Sequence, residues 1–137
     1  MGTVTLRTVE GHLMVASDSN GHSIVIGKSP DPGFTWYGVK PSDLLLMSAA
    51  ACSAYDVVEI LGKQKQPMRD LKIIVQGDQA PEPPYEFTRI HLHYVVYGKV
   101  DSQKLEKAIR LSEEKYCSVL CTLRPGVPLS SDFESQE

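Results

Sequence analysis

Hydrophobic positions change their spacing several times along this chain, and each change marks an element. Around residues 4–8 the spacing is two, with Val4, Leu6 and Thr8 on one side and Thr5 and Arg7 on the other, as a strand requires. Glu10-Gly11 offers a turn, a second strand covers residues 13–17, and Asp18-Ser19-Asn20-Gly21 supplies a hairpin signal before a third strand at 23–26. The pattern predicts an antiparallel meander. Residues 28–40 fit no period, contain two prolines and two glycines, and predict a long loop carrying Phe34, Trp36 and Tyr37.

Pro41 suits the first position of a helix and Asp43 its first turn. The segment from Pro41 to Lys63 is apolar on nearly every face through its middle, which predicts a helix buried all round. After a turn at Gln66-Pro67, Leu71, Ile73 and Val75 mark one face of a strand; beyond the proline-rich QAPEPPYE, Ile90, Leu92, Tyr94 and Val96 mark a longer one. Asp101 is the expected N-cap of an amphipathic helix with Leu105, Ala108, Ile109 and Ser112 on its inner side. Helix resumes around Cys117 to Leu123 and stops at Arg124-Pro125-Gly126, and a last strand is expected at 127–133. Strands and helices are segregated, so the expected class is α+β with antiparallel sheets, in one domain spanning residues 1–137.

Composition narrows the function classes. Fourteen basic residues against 17 acidic ones give a net charge of −3, with no basic cluster, so no nucleic-acid footprint is expected. The longest mainly apolar run, residues 44–51, is short for a bilayer span, and Asp56 and Glu59 follow it. The amino-terminal residues lack the pattern of a secretory signal, so the expectation is a cytoplasmic protein without a membrane partner. A helix apolar on every face exceeds what one chain of 137 residues can cover, and predicts a folded unit of two chains.

The chemistry-bearing residues are three cysteines. Cys52 lies mid-helix among small residues, Ser48-Ala49-Ala50-Ala51 before it and Ser53-Ala54 after it, where another element or a substrate can approach closely. Many such thiols are simply buried small hydrophobes. To react, Cys52 must be a thiolate, and Asp56 one turn later acts against that, so a cation or donor has to come from elsewhere; Arg7, Arg69, Arg89 and Arg124 are the candidates. Cys117 sits near a helical junction expected to be partly exposed, with Cys121 a turn further. A mid-helix thiol plus a second one at such a junction suits a peroxidatic and resolving pair, a chemistry that needs no metal and no bound cofactor. His91 and His93 share one strand face and read better as the polar side of a sheet than as metal ligands. Gly27-Lys28-Ser29 lacks the earlier glycine and the following helix of a phosphate loop.

Three stretches, KPSDLLLMSAAACSAYDVVEILGK, RIHLHYVVYGKV and LEKAIRLSEEKYCSVLCTL, resemble the OsmC/Ohr family of thiol peroxidases, in particular its YhfA-like branch, over nearly the whole chain. The resemblance implies an α+β fold with a long central helix and an intertwined homodimer with both sites at the subunit interface. It implies Cys52 as peroxidatic and Cys117 as resolving thiol, organic hydroperoxides as substrates, and an external dithiol as reductant. Asp43, Arg7 and Asp56 are supporting candidates, and Phe34, Trp36 and Tyr37 candidate walls of an apolar pocket. The chain departs from the family pattern at Ser42, where a glutamate is expected, in having Arg7 as its one arginine before Cys52, and in the extra Cys121. The alternatives are a non-catalytic binder or redox sensor on the same fold, and cysteine-dependent acyl transfer with His91 or His93 as base.

Overall fold

The computed structural model describes residues 2–31 and 35–137, so Phe34 lies outside the described residues. They form two compact units, residues 1–45 and 46–137. In the first, β1 (Val4–Glu10), β2 (Leu13–Asp18) and β3 (Ser23–Gly27) make the expected antiparallel meander in the order β1-β2-β3. The Asp18 carboxylate accepts the backbone N–H groups of Asn20 and His22 and so closes the second turn. Gly27 is required where β3 ends: its φ is +104°, and a Cβ there would run into the His12 carbonyl. The loop that follows is partly tied to the meander by bridges from Ile26 to Val39 and from Lys28 to Trp36.

Helix α1 spans Pro41–Lys63, with the predicted start. Within one chain its burial is confined to one side. Ala49, Ser53, Val57 and Leu61, four residues apart, are fully buried, whereas Met47, Tyr55 and Val58 on other faces are 52%, 80% and 49% exposed. One stripe, not every face, packs within the chain. The helix is also more membrane-like than residues 44–51 suggested: an 18-residue window reaches a mean hydropathy of 1.7, enough on length and composition to cross a bilayer, as the core helices of soluble proteins also can be.

The second unit holds most of α1, then β4 (Asp70–Gln79), β5 (Phe87–Tyr97), α2 (Ser102–Leu111), a π-helical turn (Ser112–Tyr116), α3 (Ser118–Leu123) and β6 (Leu129–Gln136). Alternation along β5 buries Ile90, Leu92, Tyr94 and Val96 against the α1 stripe and against Leu105, Ala108 and Ile109 of α2, in one core. Asp101 caps α2 as predicted, its carboxylate accepting from Lys104 N–H at 2.9 Å. The sheet order is β4-β5-β6, but β6 pairs with β5 in parallel, Phe133 lying beside Tyr94, so the sheet is mixed and not wholly antiparallel. The reason is the connection: the helices between β5 and β6 form a crossover that returns the chain to run in the same direction.

Candidate functional site

Helix α1 and the junction between the π-helical turn and α3 bring Cys52 and Cys117 together. Cys117 is the N-cap of α3 and fully buried, in contrast to the partly exposed position expected for it; its sulfur accepts the Leu120 N–H at 3.4 Å, and its own N–H donates to the Ser112 carbonyl at 2.8 Å. Cys52 is only half-buried. The two thiols are close enough to influence each other's ionisation, and a third group joins them: Ser118 Oγ lies 3.7 Å from Cys52 Sγ.

This arrangement divides the labour between the sulfurs. Burial acts to raise the Cys52 pKa, but the Cys117 thiol, the N–H groups of Val119 and Ser118, and the Ser118 hydroxyl all stabilise its charged form, and it ends below the usual thiol value. Cys117 is pushed up to about 12, by burial first and by its hydrogen bond to Cys52 second. The more accessible sulfur is therefore the more readily ionised and the buried one the more firmly protonated, which is the order an attacking and a resolving thiol need. Of the two sources expected, a cation or a donor, the partners that favour the charged form here are donors. Of the arginines named for that role in this unit, Arg89 pairs with Asp78 at 3.1 Å and Arg124 donates to the Glu113 carbonyl.

Beside the thiols runs a buried chain of hydroxyls that sequence reasoning missed. Ser53 Oγ lies 2.7 Å from Tyr94 Oη and 2.9 Å from Ser112 Oγ, and Ser112 Oγ lies 2.7 Å from Asp56 Oδ2. At the other end Tyr94 Oη is 3.4 Å from Glu113 Oε1. Carboxylates only accept, and the three hydroxyls carry three protons for these four links, so one link goes without. The Tyr94–Glu113 contact is the longest. This relay of Tyr94, Ser53, Ser112 and Asp56 pins α1 to β5 and to the π-helical turn, at the residue following Cys52 and at the residue whose carbonyl holds Cys117. Burial keeps the Tyr94 phenol protonated. Asp56, expected to oppose the thiolate, is turned to this relay. The only sequence signal was the serines themselves, placed at inward-facing helix positions where apolar residues are usual.

The other predicted residues stand on other elements. Arg7 is exposed on β1, and Trp36 and Tyr37 also belong to the first unit, with the Lys28 and Lys40 ammonium groups 5.2 and 5.3 Å from the Trp36 ring centre. Asp43 is in the first turn of α1. Cys121 is held at the Glu113 carbonyl, 3.6 Å away. His91 and His93 occupy the face of β5 opposite the core residues, where His91 contacts Ser130 and Asp132, and His93 contacts Asp132 at 2.7 Å and Glu134 at 3.4 Å. The strand therefore turns both imidazoles away from the face against which α1 packs, which removes the geometry that acyl transfer needs. One turn beyond Cys52 on α1, a cleft of about 510 Å³ begins at Asp56 and continues along Ile60, Leu111 and Tyr116.

Comparisons with known proteins agree with this architecture. A family model described as OsmC-like protein matches residues 32–132. The chain is 34% identical to Protein YhfA of Escherichia coli K12 over 131 residues, 94% of each chain. A hypothetical protein from Aquifex aeolicus VF5 superposes with a TM-score of 0.85 at 33% identity, covering 100% of this chain and 98% of the other. The organic hydroperoxide resistance protein OhrB of Bacillus subtilis shares the fold at a TM-score of 0.65 and 21% identity, with 98% of each chain covered. With its helix-borne Cys52 beside Cys117 on a mixed α+β scaffold, the chain belongs to the OsmC-like family.

Proposed function

We propose that this protein is a thiol peroxidase that reduces organic hydroperoxides. The observation that carries the reading is the juxtaposition of a half-buried Cys52, whose environment favours its charged form, with a fully buried Cys117, whose environment favours its protonated form. The Cys52 thiolate attacks the terminal oxygen of the hydroperoxide, the O–O bond breaks, and the departing alkoxide takes a proton, leaving alcohol and a Cys52 sulfenic acid. The Cys117 thiol then condenses with the sulfenic acid, releasing water and forming the Cys52–Cys117 disulfide. An external dithiol reduces that bond and is itself oxidised to a disulfide. The cleft along Ile60, Leu111 and Tyr116 supports a substrate with an organic part in preference to hydrogen peroxide.

The working unit in this reading is a cytoplasmic homodimer. Its support is apolar surface that one chain leaves uncovered: Val4, Leu6 and Val9 of β1, and Met47, Tyr55 and Val58 of α1. The test is steady-state consumption of cumene hydroperoxide and of hydrogen peroxide with dithiothreitol as reductant. Faster turnover of cumene hydroperoxide, abolished in Cys52→Ser, is expected; equal consumption by the wild type and Cys52→Ser overturns the proposal.

A further inference from the structure

Several of the residues expected to help hold a Cys52 thiolate are committed to other partners. Position 42 is Ser42, the Asp56 carboxylate accepts from Ser112, and Arg89 and Arg124 have other partners. Besides Cys117, a side chain no motif singled out reaches the sulfur. Ser118 opens α3, directly after the capping Cys117, and its hydroxyl lies 3.7 Å from Cys52 Sγ, within hydrogen-bond reach of an atom as large as sulfur. The residue is exposed, so the hydroxyl is available both to the sulfur and to a substrate approaching it.

We propose that Ser118 is a catalytic residue, whose hydroxyl donates to the Cys52 thiolate and remains on the sulfur as the peroxide arrives. The inference rests on Cys52 being the attacking thiol. A hydroxyl is suited to the position for two reasons. A neutral donor stabilises the thiolate without neutralising it by ion pairing, so the sulfur keeps its nucleophilicity. The same O–H is also beside the reacting atoms when the O–O bond breaks and the alkoxide seeks a proton, and a hydroxyl that passes on its proton regains one from solvent. Cys117 also holds the sulfur but is fully buried, whereas the Ser118 hydroxyl is exposed to an arriving peroxide. Of the ionisable groups near it in this unit, Cys117 acts on Cys52 from the junction before α3, and the Asp56 carboxylate, one turn on along α1, is turned to Ser112.

The test separates the donor role from peroxidase activity. In the reduced full chain, the rate of iodoacetamide alkylation at Cys52 is followed against pH by mass spectrometry of the Cys52 peptide, for the wild type, Ser118→Ala and Ser118→Thr. Alanine is expected to raise the midpoint by about one unit, a tenfold smaller thiolate fraction near neutral pH or ~1.4 kcal/mol, and threonine to restore it. A midpoint in Ser118→Ala within about a quarter of a unit of the wild type overturns the proposal. Cumene hydroperoxide consumption is measured on the same samples. A shifted midpoint with slower turnover supports the catalytic role; a shifted midpoint in a protein whose wild type consumes no peroxide overturns the proposed function and leaves Ser118 as a thiolate donor alone. Ser118 is exposed and alanine is a strong helix former, so both variants are expected to fold, which unchanged urea midpoints check.

Discussion

Replacing Ser112 with alanine tests whether the buried hydroxyl relay holds the two cysteine-bearing segments together. Ser112 is fully buried, 2.7 Å from an Asp56 carboxylate oxygen and 2.9 Å from Ser53 Oγ. A hydrogen bond to a charged group contributes about 1.5–3 kcal/mol and a neutral one about 1 kcal/mol. Asp56 borders the open cleft, so water recovers part of the lost solvation there; Ser53 retains Tyr94 as a partner. The expected net cost is about 2 kcal/mol. With a urea m-value near ~2 kcal/mol/M for a chain of this size, the midpoint falls by about 1 M, compared at one fixed protomer concentration because association stabilises the folded state. The Cys52–Cys117 disulfide is also expected to form more slowly, since the Ser112 carbonyl holds the Cys117 N–H. A urea midpoint lowered by less than about 0.2 M refutes the relay as a structural pin.

Three further expectations follow from other parts of the molecule. Cys117→Ser accumulates Cys52 sulfenic acid, trapped by dimedone, and forms no disulfide after peroxide; a disulfide from Cys52 to Cys121 in that variant assigns the resolving role wrongly. Leu61→Ala, at a fully buried position of the α1 stripe, lowers stability by about 2–5 kcal/mol in urea unfolding, and a loss below about 1 kcal/mol contradicts its place in the core. On the outer sheet face, the Asp132 hydrogen bond raises the His93 pKa, while His93 and then His91 lower that of Asp132. The stabilisation seen from His93 is complete below its ordinary 6.5 and lost as pH rises through its raised value; that seen from Asp132 is present above 3.8 and lost as pH falls through its lowered value. The β5–β6 pair is thus favoured on mildly acidic ground, and Asp132→Asn brings the His93 titration, followed by NMR, back down; an unmoved titration contradicts the pairing.

Local signals placed most of the elements. Pro41 with Asp43 set the start of α1, Asp101 the start of α2, Asn20-Gly21 a hairpin, and the alternation from Ile90 to Val96 the inner face of β5, because each of these is written in neighbouring residues. The direction of β6 was not, since parallel pairing depends on where a three-helix crossover delivers the strand. The apolar pattern of α1 showed that one chain could not cover the helix, but not which stripe that chain would cover, from Ala49 to Leu61. The cysteine pair was legible through the family resemblance. Ser118 was not, because it has no role until the junction before α3 folds against α1.

The most direct test of the whole account is a single turnover. Fully reduced protein is mixed with one equivalent of cumene hydroperoxide and the cysteine peptides are mapped by mass spectrometry. The account predicts loss of two thiols per chain, one equivalent of alcohol, and a Cys52–Cys117 disulfide with Cys121 still free. Unreacted Cys52, or a disulfide that joins Cys117 to Cys121 and leaves Cys52 reduced, contradicts it.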